Sequence, residues 1–397
     1  MEQERVIIAG AGPVGLIGAL ALARQGVPVT LIDALPEPAE DLRASTFHPP
    51  TLDMLEDLGL LDWMLPRGLV SPLFQHRDRP TGEVFSFDLG MLKADVRNPY
   101  RLQIEQWKLM RHVGELLAVM PGVDLCFNER VVHVAEDAAG VSVSTETALA
   151  IRRHTGRWLI ACDGANSIVR KWLGIEFEGL TYPEKFYCVT TPHPFEANFE
   201  NLSNVNYVSD PEQWFVLLKV PDLWRVLIPV PETVADGEIV SDRYTQACLK
   251  RIAARDDDYP VRHRTIYRVH QRVAKRYREG NIFLAGDSAH INNPLGGMGM
   301  NGGLHDVLNL TDKLVDVMGG GDDAVLDRYE RQRRGVCYKF VQAQTIRNRE
   351  DLAQTGDAAR AKRLFDMRAM LSDSAATREY LLKNSMIASL AEAAAIA

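Results

Sequence analysis

Residues 6–33, VIIAGAGPVGLIGALALARQGVPVTLID, leave this chain few folds to choose from. The run from Val6 to Ala9 is short and apolar, as a buried parallel strand requires. Gly10, Gly12 and Gly15 follow in G-x-G-x-x-G spacing. The first glycine permits a tight turn, the second lets the backbone approach a pyrophosphate, and the third lets a helix pack close to the strand. A helix over residues 13–25 would aim its free N–H groups and positive dipole end at those phosphates. Gly26 is a stop for that helix, and residues 29–32 read as a second strand. Asp33 ends it, at the spacing of an acid that takes a ribose hydroxyl. Glycines alone could be a surface turn beside a surface aspartate. Strand, glycines, helix, strand and acid in order describe a dinucleotide-binding unit.

A second glycine-acid motif lies far along the chain, in NIFLAGDSAHINNPLGGMGMNGG at 281–303. It places Asp287 at the end of another short apolar strand. Together the motifs point to one cofactor touched by both ends of the chain, a flavin rather than a nicotinamide.

The chain has 397 residues, 46% hydrophobic and 25% charged, enough for two or three cores. Its net charge of -8 contains no block of one sign, which argues against nucleic acid as a partner. Cysteines at 126, 162, 188, 248 and 337 form no C-x-x-C, so no zinc or dithiol motif is signalled and a reducing cytoplasm is expected. The apolar stretch at 6–23 carries four glycines and a proline and lacks a basic start, so it reads as core and not as a membrane span or signal peptide.

Residues 43–61 read as a helix with Leu52, Leu55, Leu58 and Leu61 on one stripe. Residues 66–98 read as an excursion with a VFSFDL strand, and 104–119 as a helix. Residues 123–127, 131–135, 141–143 and 158–161 are strand candidates. CDGANSIVR at 162–170 is a strand end, a turn and a helix start; by itself Asp-Gly is an ordinary turn. Residues 183–270 carry the runs FYCVTT, VNYVSD, WFVLLKV and WRVLIPV, which predict an antiparallel meander. A helix is expected from Gly303 to Met318, broken by GGGDD at 319–323, with helices to the C-terminus.

In these motifs the sequence resembles the single-component FAD-dependent aromatic hydroxylases, the group typified by para-hydroxybenzoate hydroxylase. GAGPVG with Asp33 looks like that family's ADP-binding fingerprint. CDGANSIVR looks like its Asp-Gly motif near the pyrophosphate, and LAGDSAH with Pro294 and GGMGMNGG like its third motif. The resemblance covers residues 1 to about 340. It implies an α/β fold: a Rossmann-like FAD-binding domain with an inserted antiparallel β-sheet substrate domain and C-terminal helices. The expected division is 1–75, 99–182 and 270–345 for FAD, 76–98 and 183–269 for substrate, and 346–397 as a C-terminal helical region. A chain this long is expected to lack the thioredoxin-like extension of the longer phenol hydroxylases.

The resemblance also assigns residues. Gly10, Gly12, Gly15 and Asp33 hold the ADP half, and Arg43 lies along the FAD. Gln103 sits near the phosphate-ribityl region, Asp163 belongs to the Asp-Gly motif, and Asp287 takes the ribityl chain. Gly299, Met300 and Asn301 offer backbone N–H groups to the flavin pyrimidine edge, where a reduced flavin carries negative charge. Pro294 lines the flavin-substrate pocket, and His48 is a catalytic candidate near the flavin, although a satisfied histidine is an equal reading.

The activity so implied is a monooxygenase in which NAD(P)H and O₂ are co-substrates and a flavin C4a-hydroperoxide hydroxylates a phenolic or heteroaromatic molecule. A flavin-dependent halogenase or reductase of the same fold, and a redox sensor without turnover, are the alternatives. No membrane partner is expected, and a homodimer is left open. His290 reads as part of the cofactor turn, and Arg331–Arg334 as a solvated helix face. Among Tyr207, Trp214, Phe215, Trp224 and Leu227, most read as core, with one or two on a substrate wall. No arginine stands out as a grip for a substrate carboxylate.

Overall fold

The computed structural model describes residues 4–40, 44–353 and 356–397. The first strand, Val6–Ala9, is fully buried and pairs in parallel with Val29–Ile32 on one side and Trp158–Ala161 on the other. The six-stranded sheet runs Arg278–Glu279, Ile282–Leu284, Trp158–Ala161, Val6–Ala9, Val29–Ile32, Val123–Cys126. Its outermost pair, 278–279 with 282–284, is antiparallel; the others are parallel. This sheet brings the carboxyl ends of strands 6–9, 158–161 and 282–284 together, and with them Gly10, Asp163 and Asp287.

The helix Pro13–Arg24 follows the glycine turn, and Gly26 beyond it adopts φ +75°. Gly10 needs its freedom for a second reason besides the turn. It has φ +103°, and a Cβ there would lie 2.3 Å from the carbonyl oxygen of Cys162.

The helix expected over 43–61 is shorter. It spans Pro49–Asp57, and Leu61 opens a separate turn, Leu61–Met64. Proline disfavours helical backbone in the residue before it, and His48 is extended at φ -84°, ψ 157°. Pro49 and Pro50 then fill the first turn, where no N–H is needed. Thr46–Phe47 is instead a strand, paired with Arg101–Gln103, which also pairs with Leu69–Ser71.

The eight-stranded sheet runs 290–291, 263–274, 177–191, 223–231, 215–220, 205–209, 73–78, 84–88. Strands 205–209, 215–220 and 223–231 form the expected meander. Strand 205–209 then pairs with 73–78 in parallel, the one departure from antiparallel order. Phe177–Thr191 runs unbroken past residue 182, and His263–Ala274 past residue 270. One face of the sheet packs Phe74, Phe87 and Phe186 against Leu364, Met367 and Leu381 of the C-terminal helices. The other packs Tyr187, Phe215 and Ile228 against Leu249 of helix Asp242–Ile252.

The long helix begins at Met298, five residues before the expected start, and ends at Met318. Packing overrides its poor local propensity: a Cβ on Gly303 would sit 2.7 Å from Val14 and 3.0 Å from the backbone of Gly286. Helices Ala324–Val336, Ala343–Ala353, Asp357–Ser372, Ser374–Asn384 and Ile387–Ala395 complete the chain.

Candidate active site

A cavity of about 890 Å³ runs from the glycine turn to the eight-stranded sheet. Gly12, Cys162, Gly164 and Asp287 line one end, Gly296, Gly297, Gly299 and Met300 the middle, and Tyr207, Leu227 and Tyr267 the other end.

At the first end, Gly12 has open space where a Cβ would go, whereas a Cβ on Gly15 would collide with the Gly10 carbonyl at 1.9 Å. The two glycines therefore do different work, one leaving a surface for a phosphate and the other closing helix onto turn. Asp33 accepts from the N–H groups of Ala11 at 2.6 Å and Leu35 at 2.8 Å, which fixes its carboxylate beside the turn. Asp163 accepts from Ile168 and Val169 through one oxygen, and its other oxygen, Oδ1, is buried with no partner. Burial pushes the Asp163 carboxyl up, against the hydrogen bonds it accepts from Ser167 and the backbone. Asp287 lies exposed to the cavity in the turn Gly286–Ser288.

In the middle, Gly296 and Gly297 adopt φ +101° and +67°, and the helix starts at Met298. Met298, Gly299 and Met300 are its first residues, whose N–H groups have no acceptor one turn back. Asn301 is fully buried and works through its side chain. Its Oδ1 accepts from His48 N at 2.9 Å, and its Nδ2 donates to the carbonyls of Thr46 at 2.9 Å and Gly297 at 2.7 Å. Gln103 accepts from the Thr46 hydroxyl at 2.9 Å, and its Nε2 is buried without an acceptor.

His48 places Nε2 2.7 Å from the carbonyl oxygen of Gly296. A carbonyl only accepts, so Nε2 carries the proton and Nδ1 is a lone pair. Nδ1 is buried without a partner among the described residues. Burial and then the nearby Arg101 hold the His48 pKa well below the ordinary imidazole value, so the ring is neutral. Pro294 faces the same cavity, and its carbonyl accepts from Gly297 N at 3.0 Å. Arg43 lies outside the described residues.

The site fits a dinucleotide flavin. Gly12 leaves open space where a Cβ would go, Asp33 stands beside the turn, and buried polar atoms on Asp163 and Gln103 have no partner among the described residues. Residues 3–344 match the family described as "FAD binding domain". Para-nitrophenol 4-monooxygenase of Pseudomonas sp. (strain WBC-3) is 33% identical over 385 residues, 96% of this chain and 94% of that protein. The chain belongs to the family of FAD-dependent aromatic hydroxylases. 6-Hydroxy-3-succinoylpyridine 3-monooxygenase of Pseudomonas putida is 34% identical over 355 residues, 88% of this chain and 89% of that protein. The crystal structure of p-nitrophenol 4-monooxygenase from Pseudomonas putida DLL-E4 superposes with a TM-score of 0.90 at 32% identity, covering 96% of this chain and 97% of that one. The hydroxylase thus binds FAD, uses NAD(P)H and O₂, and acts on a small aromatic molecule.

Two corrections concern the hydroxylase's charged residues. Arg331–Arg334 is not a wholly solvated face: Arg333 is buried and donates to Asp306 Oδ1 at 2.7 Å. His290 lies not in the turn Gly286–Ser288 but just past it, in the short strand His290–Ile291, and its Nε2 meets Asp306 Oδ2 at 2.6 Å. Of the sheet aromatics and leucines, Tyr207 and Leu227 reach the cavity, while Phe215 and Trp224 belong to the core on the far face. Arg225 also lines the cavity and is buried. Sequence reasoning passed over it; a lone arginine inside the apolar strand LWRVLIPVP was the available signal. Among the described residues, no helix is long and apolar enough to cross a membrane.

Proposed function

We propose that the hydroxylase acts on a small monocyclic phenol or hydroxylated nitrogen heterocycle, of the kind named in its relatives para-nitrophenol 4-monooxygenase and 6-hydroxy-3-succinoylpyridine 3-monooxygenase. The observation that carries this reading is the state of His48, with Nε2 committed to the cavity-lining Gly296 and a buried lone pair on Nδ1. A phenol hydroxyl presented to Nδ1 donates a hydrogen bond there and loses its proton as the ring attacks oxygen. The negative charge that develops on the phenol oxygen pushes electron density into the ring, which makes it a better nucleophile toward oxygen. Pro294 and Leu227 orient the ring, and the apolar wall with Tyr207 keeps water from it. FAD, reduced by NAD(P)H, supplies the oxygen atom from O₂.

In this reading Gly10, Gly12, Gly15 and Asp33 hold the ADP half of FAD, Arg43, Gln103 and Asp163 its central part, and Asp287 the ribityl chain. The start of helix Met298–Met318, with Gly299, Met300 and Asn301, serves the flavin ring. The six-stranded sheet and its helices form the FAD unit, residues 76–98 and 183–269 the substrate side, and residues 346–397 the helical backing. Five free cysteines suit a cytoplasmic enzyme.

The test is a panel of phenols and hydroxypyridines given to the FAD-loaded protein, reading substrate-stimulated NAD(P)H oxidation and identifying products. Stimulation with a hydroxylated product supports the reading. A panel that leaves NAD(P)H oxidation unchanged refutes it.

A further inference from the structure

We infer that Arg101 is an anion anchor for the substrate: its buried guanidinium, with no carboxylate partner among the described residues, lies over the ring of Phe74 in a cluster with His76 and Tyr380, and fits an oxyanion carried by an aromatic ring. The inference rests on reading the cavity as a phenol site.

Arg101 is 2% exposed, among the largest fully buried side chains of the protein. Its Nε and Nη1 have no hydrogen-bond acceptor among the described residues. Among the described residues it lies over the face of Phe74, 4.4 Å from the guanidinium carbon. Other deep arginines are treated differently. Arg333 pairs with Asp306, Arg363 with Asp78, and Arg170 donates to the carbonyls of Ser288 and Ala165. Leaving one buried guanidinium without an acceptor is costly, and a cation–π contact offsets only part of that cost. A ligand anion would supply the missing acceptor in fork geometry.

Arg101 lies one strand behind the cavity lining. Strand Arg101–Gln103 pairs with Thr46–Phe47, and Thr46 lines the cavity beside Gly296 and Gly297. On the opposite flank His76 stacks on Tyr207, a lining residue, with ring centroids 5.1 Å apart. The Tyr380 hydroxyl meets His76 Nε2 at 3.1 Å. The cluster behind Tyr207 is therefore aromatic on several sides, as a ring requires. The two imidazoles in the field of Arg101 bring no competing charge. Burial, Arg101 and His305 hold His48 low against the Gly296 hydrogen bond, and burial with Arg363 and Arg101 pushes His76 down to about 3. Asp351 acts on Tyr380 but lies in the field of Arg363 and Arg347. The same guanidinium that adds to burial in keeping His48 neutral would favour the ionised form of a phenol beside it.

The experiment titrates oxidised FAD-loaded protein by calorimetry with para-nitrophenol, at a pH where the phenol is ionised, and with its uncharged methyl ether, para-nitroanisole. Arg101→Met should weaken nitrophenolate binding about tenfold to a hundredfold, the range for a charge-assisted hydrogen bond. Nitroanisole binding and FAD retention should stay near wild type, and Arg101→Lys should recover part of the loss. Nitrate added to the wild type should compete with nitrophenolate and not with nitroanisole, which tests the anchor even if Arg101→Met fails to fold. Unchanged nitrophenolate binding in Arg101→Met, equal loss of both ligands, or no competition by nitrate overturns the anchor. If those results come with intact hydroxylation of phenols, only the anchor falls. If the wild type neither binds nor hydroxylates any phenol, the substrate reading falls with it.

Discussion

Arg333 Nε donates to Asp306 Oδ1 across 2.7 Å in the interior, joining two helices beneath the cofactor turn. Asp306 is fully buried and also accepts from His290 at 2.6 Å and from Gly286 N at 3.2 Å. One carboxylate thus ties the long helix to the turn that carries Asp287. Burial disfavours its charge, but His290 and Arg333 outweigh that and hold its pKa far below the ordinary carboxylate range. Burial opposes charge on His290 as well, yet Cys337 and Asp306 hold its pKa well above the imidazole value.

Asp306→Ala should therefore leave two buried cations unpaired and cost about 3–5 kcal/mol, the range for breaking a buried ion pair. Urea unfolding reads the loss directly, and FAD should be released before the fold melts. The pH dependence has two limbs. Asp306, depressed in the fold, contributes stability above about pH 4 that is lost as pH falls. His290, raised in the fold, contributes fully below about pH 6.5, and that share is lost as pH climbs through its raised value. A stability profile of His290→Gln that keeps the alkaline limb would rule out this assignment.

Asp287→Ala should chiefly weaken FAD retention. A carboxylate on a ribityl hydroxyl contributes about 1.5–3 kcal/mol, hence roughly a tenfold to hundredfold loss of affinity. The check is the FAD dissociation constant of the refolded apoprotein. Wild-type affinity together with wild-type turnover would remove Asp287 from the cofactor site.

Much of the FAD unit was legible because its signals are local. The glycine spacing, the apolar strand Trp158–Ala161 and the break at GGGDD each carry their meaning within a few residues. What escaped depends on partners far along the chain. Strand Ile151–Gly156, IRRHTG, is mostly exposed and shows no apolar alternation, so nothing in it marks a strand. The parallel pairing of 205–209 with 73–78 joins segments that only the fold brings together. Arg333 sits in RQRR, which reads as solvated until Asp306 supplies its partner from another helix. Arg101 lies two residues before Gln103 on one short strand, and the Phe74 ring it lies over comes from a distant strand. The early start of the 298–318 helix reflects glycines chosen for close packing rather than for a loop.

His48→Ala should lower kcat/KM about a hundredfold to ten-thousandfold at pH values below the phenol's own pKa, the usual range for losing a general base. The deficit should shrink as pH rises past that pKa, because solvent has then already removed the proton. Wild type should show no limb from His48 itself near neutrality, since burial and Arg101 keep its ring neutral there. A deficit that stays constant from low to high pH would assign His48 a packing role instead.

The start of the long helix should govern coupling between NAD(P)H use and hydroxylation. Gly299 lines the cavity, and a Cβ added there would meet Asn292 at 3.4 Å, an ordinary contact the backbone can hold. Gly299→Val should therefore fold and retain FAD, while its branched side chain crowds the surface reserved for the flavin ring. A displaced ring exposes the oxygen-transfer step to water, so more reducing equivalents should end as hydrogen peroxide. Gly303→Ala is the contrasting variant: its Cβ would collide with Val14 at 2.7 Å and approach the Gly286 backbone at 3.0 Å, so it should lose stability and FAD together. The measurement is hydroxylated product per NAD(P)H consumed, with peroxide assayed in parallel. A folded, FAD-bound Gly299→Val protein with wild-type coupling would show that this residue only shapes the turn into the helix.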